Sequence, residues 1–190
     1  MTKSILTVIA LFGALTTSST AHAQSVTVFG NTDAQACYIQ TRLFSGSSDA
    51  LTFCDKALKS TDLTTKDRAA TLVNRGINLS RSEKHDLALA DYRQAIELMP
   101  DLAEAYLNRG NTYIFRSQFR LALADYDRAL ELGTKEPYAA YYNRGLAYEA
   151  LKDLKSAYKD FLHAQELRPD WSYPAERIAR YQAADFRHQK

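Results

Sequence analysis

Apolar positions recur along most of this chain at spacings of three and four residues, the period that returns side chains to one side of an α-helix. Leu72, Gly76 and Leu79 begin the pattern; Tyr106, Gly110 and Tyr113 repeat it, and Tyr141, Gly145 and Tyr148 repeat it again. Each stretch is followed by a second with small residues flanking an aromatic: Ala88, Tyr92, Ala95; Ala122, Tyr126, Ala129; and Ala157, Phe161, Ala164. Two helices are predicted each time, crossing closely where Gly and Ala lack bulk, with the aromatic filling the space beside the crossing. Pro100 and Pro169 end the second helix, because proline disfavours helical geometry in the residue before it. The middle copy ends at Gly133, and one extra residue beside Pro137 lengthens its step.

The triplets Asn74-Arg75-Gly76, Asn108-Arg109-Gly110 and Asn143-Arg144-Gly145 fix the period, with glycines 34 and 35 residues apart. A period of that size over three copies signifies a stacked array of supersecondary units. Three repeats follow, 69–102, 103–137 and 138–171, with positions counted from Ala69, Ala103 and Tyr138. The pattern resembles the tetratricopeptide repeat: aromatics at position 4 (Tyr106, Tyr141), glycine at 8, Tyr113 and Tyr148 at 11, alanine at 20 and 27, an aromatic at 24 and proline at 32. The first copy departs from it with Leu72 and Leu79. The resemblance implies an all-α, right-handed superhelical stack of helix-turn-helix units with a concave groove lined by the first helices.

Upstream, Ala50, Cys54 and Ala57 fit positions 20, 24 and 27 of a degenerate repeat over 33–60, with helices at Asp33–Leu43 and Asp49–Lys59 and a Ser45-Gly46-Ser47-Ser48 turn. Ser60 to Lys66 is a link four residues longer than the period expects, and Thr64 with Asp67 offers a capping box. Residues 24–32 read as an irregular lead-in with a Gly30-Asn31 turn signal. Residues 172–190 hold a capping helix from about Pro174 to Phe186, with Ala175, Ile178, Tyr181 and Phe186 on its apolar side and Arg177, Arg180, Asp185 and Arg187 on the other. It would cover the exposed end of the stack.

Residues 1–23 read as a cleaved secretory signal: Lys3, an apolar run from Ile5 to Leu15, and the small-x-small site Ala21-His22-Ala23. The run stops at Thr16-Thr17-Ser18-Ser19-Thr20, short of a membrane span, so the expectation is a periplasmic or secreted protein with no span after cleavage. The 190 residues are 46% apolar and 24% charged, with a formal charge of +2. The interspersed charges lack the basic stripe a nucleic acid requires.

Both cysteines fall in the degenerate repeat, where positions 7 and 24 of one hairpin should face each other. An oxidising compartment favours bridging an even number of cysteines, so a Cys37–Cys54 disulfide is expected. Wherever position 7 is arginine (Arg75, Arg109, Arg144), position 23 is aspartate (Asp91, Asp125, Asp160); where Cys37 replaces the arginine, Phe53 replaces the aspartate. Each arginine is therefore expected to reach the aspartate of its own second helix.

Asn74, Asn108 and Asn143, at position 6, follow solvent-side spacing, and the resemblance implies that they can hydrogen-bond the backbone of an extended peptide. An amide both donates and accepts, which suits a peptide unit of any sequence. Neighbouring positions add Val73, Ile77, Leu107, Asn111, Ile114, Tyr142 and Leu146 to the candidate groove. Val73, Ile77 and Ala139 stand where members of the family that grip a terminal carboxylate place Lys or Arg. An apolar or amphipathic segment is the expected ligand. The chain's own terminus or a second copy could also cover the groove. No nucleophile elbow, phosphate loop or zincin motif occurs, and no His or Cys has metal-ligand spacing. The reading is a non-enzymatic protein-interaction module that needs no cofactor or metal. Its alternatives are a self-associating scaffold, a homo-oligomer of this chain, and an accessory to a cell-envelope enzyme.

Overall fold

The computed structural model describes residues 25–28, 30–43 and 48–188; the expected leader and most of the expected Ser45-Gly46-Ser47-Ser48 turn lie outside the described residues. Among these there are nine helices and no strands: α1 (Thr32–Leu43), α2 (Ser48–Lys59), α3 (Thr65–Arg81), α4 (His85–Leu98), α5 (Ala103–Phe115), α6 (Phe119–Glu131), α7 (Pro137–Ala150), α8 (Leu154–Leu167) and α9 (Ser172–His188). They form four hairpins, α1/α2 to α7/α8, each second helix also packing on the first helix of the next unit, and α9 packs on α8. Successive first helices touch (α1 with α3, α3 with α5, α5 with α7), and no contact as extensive joins successive second helices among the described residues. The first helices therefore lie on the inside of the curve.

Local chemistry sets the boundaries. Asn31 caps α1, its Oδ1 accepting from the Asp33 and Ala34 amides at 3.0 and 3.1 Å. Thr64 caps α3, accepting from the Asp67 amide and donating to the Asp67 carboxylate. That cap changes the expected link: its last residues are helical, so α3 has 17 residues against 13 in α5 and 14 in α7. The four additional residues are one more turn of helix. Met99 and Arg168, each followed by proline, close α4 and α8 in extended conformation at φ −141° and −143°.

Three turns inside the hairpins share a feature that sequence alone did not reveal. After α3, α5 and α7 the chain closes in a Schellman motif: Lys84 donates to Leu79, Gln118 to Tyr113 and Asp153 to Tyr148. The left-handed residue is not glycine but Glu83 (φ 60°), Ser117 (φ 57°) and Lys152 (φ 67°). The equivalent turn after α6 uses Gly133 at φ 74°. A side chain in this region costs about 1–2 kcal/mol. Replacing Ser117 with glycine is accordingly expected to stabilise the chain by about 1 kcal/mol, raising the melting temperature by about 2–4 °C, whereas Ser117→Ala should give no gain. Equal melting temperatures for the Gly and Ala variants would show that no strain is stored there.

The crossing of the two helices rests on glycine against an aromatic ring. A methyl group on Gly76, Gly110 or Gly145 would lie 2.6, 2.8 or 2.7 Å from Tyr92, Tyr126 or Phe161, all three rings fully buried. At the far end, α9 covers the last repeat with Ile178 and Tyr181, joined by Tyr173 and Trp171. Its covered side differs from the expected one: Pro174 is buried, Ala175 is exposed, and Arg177 is half-buried on a 2.7 Å ion pair with Glu149. The side chains of Asp185, Phe186 and Arg187 fall outside the described residues.

Candidate functional site: the inner face of the stack

Two features are structural and fix the frame. Cys37 and Cys54, both fully buried, are joined by a disulfide that ties α1 to α2 with Cα atoms 4.8 Å apart. In the repeats, arginine on the first helix forms two parallel bonds to aspartate on the second: Arg75 to Asp91 (2.8 and 2.7 Å), Arg109 to Asp125 (2.8 and 2.7 Å) and Arg144 to Asp160 (both 2.8 Å). These bonds raise the guanidinium pKa of each arginine above its ordinary value against the opposing effect of burial, so the arginines stay charged.

Two of these arginines also reach back across the joint between units. Arg75 donates to Asp55 and Arg144 to Asp127, each at 2.7 Å. Both acids stand one place after the aromatic position of the preceding unit. The corresponding residue at the middle joint is Arg93, whose side chain turns to the Leu89 carbonyl; Arg109 stacks over Tyr106, 5.5 Å from the ring centroid, as Arg144 does over Tyr141 at 5.1 Å. The recurrence of aspartate at that place is the signal by which this second bond could have been found in sequence.

The asparagines do not form an exposed ladder. Asn74, Asn108 and Asn143 are 0, 2 and 4% exposed. Asn108 donates to the Glu104 carbonyl of its own helix at 2.8 Å. Asn143 donates at 2.8 Å to Oδ1 of Asn111, which also accepts from the Tyr126 hydroxyl at 2.9 Å. The Nδ2 of Asn111 is buried and has no hydrogen-bond partner. Asn74 alone meets an extended backbone in the expected way: its Oδ1 accepts from the Val26 amide and its Nδ2 donates to the Val26 carbonyl, both at 2.8 Å. The peptide it holds is this chain's own lead-in.

The apolar candidates also shift. Val73 and Ile77 belong to the core with Leu72, Tyr92 and Ala105, and Leu107 packs among Ala122, Tyr126, Ala129 and Ala140. Val73 and Leu107 point into the joints between repeats, because position 5 lies between its own second helix and the next first helix; Ile77, at position 9, is buried in the core of the first repeat. Tyr142 is likewise a joint residue, its ring 5.6 Å from Phe161 and 4.8 Å from Trp171. Ile114 and Leu146 remain half-buried, and with Asn111 they mark the inner face of the second and third repeats. On the outer side, a depression of about 390 Å³ between α2, α3 and α4 is lined by Leu58, Leu72, Arg68 and Arg75. Its two arginines are already engaged, Arg68 with the Leu58 and Ser60 carbonyls. Among the described residues no group of three or more His, Cys, Asp or Glu could hold a metal ion, and no helix is long and apolar enough to cross a membrane.

This arrangement matches known proteins at two levels. The family described as TPR repeat matches residues 81–114, and the one described as Tetratricopeptide repeat matches 103–132 and 138–170. Among solved structures, the Arabidopsis OM64 TPR domain is 26% identical with a TM-score of 0.60, over 64% of this chain and 99% of that one. The first TPR of Spaghetti (RPAP3), bound to the HSP90 peptide SRMEEVD, is 25% identical with a TM-score of 0.60, over 66% and 98%. MamA, at 18% identity, shares the fold with a TM-score of 0.66 over 85% of this chain and 89% of its own. No curated protein matches the sequence.

Proposed function

Because the chain carries tetratricopeptide repeats, we propose that it is a non-catalytic protein-interaction module that takes an extended segment of a partner on its inner face. The observation that carries this reading is the pair of bonds between the Asn74 amide and the backbone N–H and C=O of one extended residue, Val26: the face already binds main chain. The similar RPAP3 domain holds a peptide, which supports the same use here. Its acidic ligand is not the one proposed for this chain, since Val73, Ile77 and Ala139 stand where basic groups would be needed. The ligand is instead apolar or amphipathic and rests on Ile114 and Leu146.

The leader pattern at residues 1–23 supports a working place in the periplasm or outside the cell, where the Cys37–Cys54 bridge persists. The occupation of Asn74 by the chain's own residues favours a second reading, in which copies exchange this segment and assemble as a scaffold.

Photoreactive residues at Ile114 and Leu146, used in intact cells, test the proposal. One dominant partner is expected, lost when the unlabelled position of the two is changed to glutamate. Self-linked protein alone would favour the scaffold. Capture that survives the glutamate change would place the interaction elsewhere.

A further inference from the structure

Residues 25–28 lie on α3 as a ligand would lie. The chain is extended there, so successive side chains alternate: Thr27 is exposed, whereas Val26 is half-buried and Val28 is 2% exposed. Val28 packs among Ala34, Ala57 and Ala70, and Val26 reaches the core that contains Leu72 and Val73. Ala70 and Asn74 are one helical turn apart, so the segment runs antiparallel to α3. Across from it, Thr27 hydrogen-bonds the Tyr38 hydroxyl on α1 and lowers its pKa. Downstream, Gly30 (φ 102°) and the Asn31 cap lead straight into α1.

Main-chain bonding by a side-chain amide, with aliphatic side chains at alternate positions, is how a groove recognises an extended peptide. We infer that residues 25–28 are a built-in ligand, and that the face formed by Asn74 and Ala70 on α3 with Tyr38 on α1 is a binding site for an extended segment carrying β-branched aliphatic residues two apart. A partner of that pattern takes the place of residues 25–28 on Asn74. The displacement is confined to a few residues ahead of α1. It leaves the disulfide and the three arginine–aspartate pairs untouched, since none of them involves this segment. The inference rests on the reading of the inner face as a peptide-binding surface, and names the pattern that the surface accepts at its first repeat.

The test uses the full chain and an acetylated, amidated hexapeptide copying residues 24–29, Gln-Ser-Val-Thr-Val-Phe. Val28→Asp should unseat the built-in segment, because an acid cannot remain among three alanines; Val26→Pro, which removes the donor to Asn74, serves if the first variant fails to fold. The expected result is that the hexapeptide binds the released variant at least tenfold more tightly than it binds the unaltered chain. Adding Asn74→Ala should remove that gain, as should N-methylation of the peptide's first valine or lysine in place of both valines. Equal affinity for the released and unaltered chains, or binding indifferent to Asn74, would overturn the inference. Partner capture through Ile114 that persists in either case leaves the proposed function standing; loss of that capture with Asn74-dependent peptide binding intact would overturn the proposed function alone.

Discussion

Replacing Asp125 with alanine is expected to destabilise the chain by about 3 kcal/mol, the cost of leaving a half-buried guanidinium without its partner. Asp125 is 7% and Arg109 18% exposed at the side chain, and the two share a pair of bonds. The same change at Asp91 or Asp160 should cost less, because Arg75 retains Asp55 and Arg144 retains Asp127. Removing both partners together, as Arg109→Met with Asp125→Leu, exchanges a charged pair for apolar contact and should cost far less than Asp125→Ala alone. Denaturant unfolding of the two single changes and the double gives the coupling directly. Additive costs, or a middle repeat no more sensitive than its neighbours, would contradict this account of the pairs.

Loss of the disulfide is the second large effect. Exchanging both Cys37 and Cys54 for serine should cost roughly 3 kcal/mol on the chain-entropy estimate for a closed loop of this length. The loss should be local. Stability in a stacked array is a sum over units and their joints, and the first hairpin has neither the arginine nor the aspartate that braces the others. Hydrogen exchange should therefore quicken across α1, α2 and residues 25–28, with α5 to α8 unchanged. Uniform loss of protection over all nine helices would mean that the stack unfolds as one body and that the bridge serves the whole of it.

How much of this could be read from residues alone depends on whether the relevant contact repeats. The all-α stack was legible because Gly76, Gly110 and Gly145 each meet an aromatic sixteen residues on, so one steric requirement is written three times. The arginine–aspartate pairs were legible for the same reason, and more so because both partners vanish together at Cys37 and Phe53. The turns after α3, α5 and α7 were silent, since Glu83, Ser117 and Lys152 give no sign of a left-handed backbone. The inner face was legible only in part. Spacing placed Val73, Leu107 and Tyr142 near the groove, but a period cannot tell a side chain facing open space from one entering the joint with the next unit. It also could not show that Asn74 binds residue 26, because that contact spans 48 residues and occurs once.

The most direct test of the central claim, that the inner face binds an extended main chain, is a titration followed by nuclear magnetic resonance. The ligand is the segment recovered by crosslinking from Ile114 or Leu146. The account predicts that the side-chain amides of Asn74 and Asn111 and the methyl groups of Ile114 and Leu146 shift together, while the outer surfaces of α4, α6 and α8 stay unchanged. Shifts confined to those outer helices, with the Asn74 and Asn111 amides unmoved, would contradict it.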